Sequence, residues 1–98
     1  MRELHCPRVR FLSPGDESAF FRWAEDIPGI ASVTGEGENI VLMARARLSE
    51  QALRELIALF HRYNAPLAQL AVFATPANSS WFISPDAYWH KLVFPNGA

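Results

Sequence analysis

Cysteine is nearly absent from this chain of 98 residues: Cys6 stands alone. No internal disulfide can form, so an oxidising compartment offers the fold no staple. Lysine is just as scarce, with Lys91 the only one, and the arginine bias reads as base composition rather than function. No apolar run approaches the roughly 18 residues that cross a bilayer. The opening Met1-Arg2-Glu3-Leu4-His5-Cys6-Pro7 lacks the apolar centre of a signal peptide. These absences predict a cytoplasmic protein with no membrane association, and make Asn78-Ser79-Ser80 a chance match to a glycosylation acceptor. Neither sign of charge predominates. The formal net charge is −1, which gives no general pull toward nucleic acid or anionic lipid.

Catalytic and cofactor patterns are also missing. Gly35-Glu36-Gly37 has none of the rest of a phosphate loop and reads as a turn. His61 and His90 have no ligand at metal-like spacing. Cys6 follows His5 directly, but neighbours in an extended segment point opposite ways, so a reactive thiolate pair is not expected. No nucleophile elbow appears. The expectation is a protein without cofactor or metal, leaning away from an enzyme. With no repeat, low-complexity tract or long linker, residues 1–98 read as one domain.

What is present is a series of short patterned elements. Arg8 to Leu12 alternates, with Val9 and Phe11 on one side, as in a strand with one buried face. Glu17 to Ile27 carries a helical stripe of Phe20, Trp23, Ala24 and Ile27, capped by Ser13 or Asp16 and stopped by Pro28-Gly29. Ile30 to Thr34 and Ile40 to Leu48 read as strands joined by a hairpin loop, the second with Ile40, Leu42, Ala44 and Ala46 on one face. Ser49 caps a second helix whose stripe is Leu53, Leu56, Ile57, Phe60 and Tyr63. Ala68 to Thr75 alternates again, and Ser84-Pro85-Asp86 has the start signals of a last short helix.

Strand, helix, strand, strand, helix, strand is the split βαβ order of ferredoxin-like folds: α+β, βαββαβ, an antiparallel sheet with two helices on one face. The pattern covers about residues 7–75, with an aromatic-rich helical extension over about 76–98. That superfold hosts many unrelated functions and assigns none.

Two features point outward. In that fold Arg8, Arg10, Arg45 and Arg47 share the open sheet face of neighbouring strands, a candidate docking surface for carboxylate or phosphate, or else a solvated face. The same face lacks the stacking aromatics and the glycine-aromatic motif of RNA-recognition modules, which argues against nucleic acid. The second feature is the C-terminal segment, with Trp81, Phe82, Tyr88, Trp89 and Phe94 beside only two formal charges, Asp86 and Lys91. A stretch this apolar must pack, either across the open sheet over Val41, Met43 and Phe73 or against a second copy.

The first functional expectation is a non-enzymatic protein-interaction module, homodimeric, comparable as a class to small bacterial inhibitors and immunity-type proteins. The alternative is a small anionic ligand, or a minor enzymatic site, in a pocket between sheet and tail. Met43, Phe73, Trp81, Phe82, Tyr88, Trp89 and His90 are the candidate interface or pocket residues.

Overall fold

Both long helices begin where the sequence supplies an oxygen cap. In the computed structural model, which describes residues 1–97, Ser13 Oγ accepts from the Asp16 amide and opens α1, Pro14–Asp26. Ser49 Oγ does the same for the Ala52 amide and opens α2, Glu50–Arg62. Phe20, Ala24 and Ile27 are buried from the first stripe, and Leu53, Leu56, Ile57 and Phe60 from the second. Gly29 turns the chain into the sheet at φ +91°, and a Cβ there would meet Leu48 Cδ2 at 2.6 Å, so only glycine suits the position.

The domain is α+β with a three-stranded antiparallel sheet: β1 Arg2–Pro7, β2 Ile30–Glu36 and β3 Asn39–Ala44, in the order β1-β3-β2. Period two sends Leu4 and Cys6 of β1, and Ile40, Leu42 and Ala44 of β3, into one core with the helices. The other face carries Glu3, His5, Ser32, Thr34, Val41 and Met43. In β2 a bulge at Ala31 shifts the register between Ile30 and Ser32.

Three expectations need correction. The first strand is Arg2–Pro7 and not Arg8–Leu12; the latter is a loop, although its Val9 and Phe11 still pack on the core. Leu4 and Cys6 alternate just as well as Val9 and Phe11, and the ladder to β3 decides between them. The third strand stops at Ala44, leaving Ala46 exposed. The expected fourth strand is a 3₁₀ helix, Leu67–Phe73. Its buried residues Leu67, Leu70 and Phe73 recur every three positions, the period of that helix, while Val72 from the supposed strand face is half exposed.

This segment closes the outer edge of β1 with a side chain. Gln69 Oε1 accepts from the His5 amide at 2.8 Å, and its Nε2 donates to the His5 carbonyl at 2.7 Å and to the Pro66 carbonyl at 2.8 Å. Both backbone groups of His5 therefore point outward, and by alternation so do those of Glu3 and Pro7. Pro7 has no amide to present there, which suits an edge.

The C-terminal segment is broken rather than one helix from Ser84. It runs through a short 3₁₀ turn at Pro76–Asn78, α3 at Ser79–Phe82 and α4 at His90–Val93. Ser84 Oγ accepts from the Asp86 amide, and no long helix follows it among the described residues. The segment packs on its own chain, but on the helix side of the sheet. Phe82, Trp89, Val93 and Phe94 join the core that holds Leu4 and Leu56, whereas Val41 and Met43 lie outside it. Trp89 Nε1 donates to the Phe82 carbonyl at 2.7 Å, and the Phe82 and Phe94 rings meet edge to face at 5.2 Å.

Two substitutions test this packing by urea denaturation. Phe82→Ala should cost about 3–5 kcal/mol, as for a fully buried aromatic, against no change if the segment were loosely attached. Gln69→Ala should cost about 1–3 kcal/mol by leaving edge groups unpaired, and an unchanged midpoint would contradict the edge closure.

Candidate functional site

Where β1 ends, the backbone is drawn against the hairpin tip. Arg8 takes φ +52° and its amide donates to the Glu38 carbonyl at 2.7 Å. Gly37, at φ +63°, makes the tip turn. Between the Arg8–Leu12 loop, this tip and the first turns of α1 lies a cleft of about 520 Å³, open to solvent. Val9, Phe11, Phe21 and Ile40 form its apolar wall, and Arg8, Arg10, Glu17 and Glu38 its charged rim.

The loop is held in place by one carboxylate. Asp16 Oδ2 accepts from the Leu12 amide and Oδ1 from the Tyr63 hydroxyl, each at 2.9 Å. Burial first, then the Asp16 hydrogen bond and charge, raise the Tyr63 phenol above its ordinary value, against a lowering by Arg62. Phe11 packs edge to face with Phe20 at 5.6 Å and with Tyr63 at 6.0 Å, so the cleft wall is continuous with the core. Cleft geometry thus depends on α1, α2 and the sheet at once.

The four predicted arginines do not form one cluster. Pro7 pairs with Asn39 and Arg2 with Ala44, so Arg8 and Arg10 leave the sheet at one end and Arg45 and Arg47 at the other. The span of β1 separates the pairs by roughly 17 Å. The earlier placement of the first strand is the reason. Among the described residues the arginine–carboxylate pair is Arg54–Glu50, so none of the four arginines is in a salt bridge.

The aromatic candidates are likewise dispersed. Met43 lies on the open sheet face opposite Glu3. Phe73 borders a recess shared with Arg47 and Pro76, and the Arg2 guanidinium is 6.0 Å from its ring. Trp81 is half-buried under Arg54, whose guanidinium lies 4.3 Å from the indole, while Phe82 and Trp89 are in the core. Tyr88 is exposed, beside the His61 ring at 5.3 Å. Half-buried His90 leaves Nδ1 shielded without a hydrogen-bond partner. Phe73 lines one recess and Tyr88 another, so these side chains are spread over separate places.

Sequence reasoning missed Glu17, Phe21 and Glu38 as rim and wall. The apolar alternation of Val9 and Phe11 was the available signal, read as a strand instead of a loop facing the core. It also missed a polar row on the open face: Glu3 Oε1 accepts from His5 Nε2, and Asn39 Nδ2 donates to His5 Nδ1, both at 2.8 Å.

Cys6 is fully buried, and that burial pushes its thiol up to about 12. Among the described residues no three of His, Cys, Asp and Glu come together as a metal site. No family model, curated protein or solved structure matches the chain.

The thiol makes a checkable claim. In the folded protein Cys6 should resist iodoacetamide at pH 8 and react promptly once urea unfolds the chain. Because the folded value exceeds the ordinary 9.0, its contribution to stability is complete below pH 9.0 and is lost as pH rises toward about 12. Fast alkylation of the native chain would contradict the burial.

Proposed function

We propose that the chain is a non-enzymatic protein-interaction module of the cytoplasm, whose contact site is the Arg8–Arg10 cleft. The observation that carries the reading is a pair of guanidiniums outside any salt bridge, set beside an apolar wall that the core holds in place. Arginine forks bind carboxylate or phosphate in two-point geometry, and a preformed wall lowers the ordering cost of binding. The partner is an acidic segment that also carries an apolar side chain. The cleft's openness favours such a segment over a small molecule, which binding sites mostly enclose. Glu17 and Glu38 on the rim disfavour a polyanion such as nucleic acid.

The finer fold belongs to the same proposal. β1, α1, β2, β3 and α2 follow the ferredoxin-like order, and Leu67–Phe73 stands where a fourth strand would pair. In such a domain a loop-and-hairpin end is a natural binding surface, because loops carry recognition on a rigid scaffold.

The test is a nuclear magnetic resonance titration with a capped peptide of alternating glutamate and leucine. Amide shifts should concentrate in residues 8–11 and 35–38, weaken with salt, and disappear in Arg8→Gln/Arg10→Gln. A single-stranded oligonucleotide should give none of these shifts. Shifts scattered elsewhere, or unchanged in the double variant, would overturn the assignment.

A further inference from the structure

The two edges of the sheet are treated unequally. On β1, Gln69 occupies the backbone groups of His5 at the middle of the outer edge. β2 forms the other edge of the sheet, with β3 on its inner side. Because His5 faces Gln69, β3 must turn the backbone groups of Asn39, Val41 and Met43 toward β2. The bond from the Arg45 amide to the Gly29 carbonyl continues that alternation. Glu36, Thr34 and Ser32 then pair inward, and Val33 and Gly35 present their amides and carbonyls outward.

Strand edges in proteins that remain single are blunted by lysine, proline or inward charge. Between Ser32 and Gly35 this edge has none of these. Its one blunting device is the bulge at Ala31, which leaves the ladder regular from Ser32 to Glu36.

We infer that β2 pairs antiparallel with β2 of a second copy, forming a two-fold homodimer with one continuous sheet. The outward groups fix the register. Val33 of each copy bonds Gly35 of the other, and the two Thr34 residues meet across the axis as a non-hydrogen-bonded pair.

Charge selects a second copy over an arbitrary strand. Glu36 and Glu38 stand at one end of β2, with Arg8 beside Glu38 on the side away from the edge, while Arg45 marks the opposite end through its bond to Gly29. Antiparallel pairing about Thr34 brings Glu36 and Glu38 of one copy toward the partner's Arg45, twice by symmetry. Exposed Asp26 closes α1 at the same corner as Arg45 and opposes this attraction. Gly35 and Glu38 also line the Arg8–Arg10 cleft, so the two surfaces meet at the hairpin tip, but the dimer is read from the mass of the chain alone and needs no bound peptide.

The experiment is light scattering of the full chain across a dilution series, with four variants. The native protein should show twice the 11.0 kDa chain mass. Thr34→Lys sets like charges face to face at an exposed position and should weaken the dimer at least tenfold. Arg45→Glu should weaken it, and adding Glu36→Arg to that variant should restore it. Thr34→Cys should give an intermolecular disulfide on oxidation, since opposed residues at such a pair stand about 4.5 Å apart. A chain that stays monomeric at all concentrations, or a dimer indifferent to Thr34→Lys, would overturn the inference.

Discussion

Gln69 occupies both backbone groups at the middle of β1's outer edge, and much of the architecture follows from that contact. A side-chain amide copies the donor and acceptor of a peptide unit, so it can end a sheet without adding a strand. The chain can then run as a tight 3₁₀ helix, burying Leu67, Leu70 and Phe73 on one side. That helix leads the C-terminal segment back along the helix layer, where Phe82, Trp89, Val93 and Phe94 complete the core. The sheet's other face stays open, and β2 remains the edge with outward-facing backbone groups.

The elements that local chemistry determines are legible in the sequence. Ser49, with the apolar stripe from Leu53 to Phe60, specifies α2 by capping and period alone, and Ser13 with Phe20 and Ala24 does the same for α1. The hairpin around Gly37 and the inward face of Ile40, Leu42 and Ala44 were equally readable. The misreadings share a cause. Leu4-His5-Cys6 and Val9-Arg10-Phe11 both alternate, and only the long-range ladder to β3 selects the first. Across Leu67–Phe73 a short apolar run satisfies periods of two and three at once, and the capacity of Gln69 to close an edge has no local signature.

The candidate surfaces shifted for the same reason. A first strand placed too late in the chain put four arginines side by side; the observed register separates them to the two ends of the sheet. What the sequence hinted at correctly was that the aromatic segment must be packed, although the direction of packing depends on the helix layer. The proposed functional picture therefore rests on placement: a charged cleft where β1 meets the hairpin tip, and a pairing edge along β2. Each is held by elements whose cores are already complete.

The central claim is the inequality of the two edges, and site-resolved amide hydrogen exchange tests it most directly. In a Thr34→Lys chain, where no second copy pairs, the His5 amide should be protected far beyond those of Val33 and Gly35. His5 exchanging as fast as those two would show that Gln69 does not close the sheet, and would contradict the account.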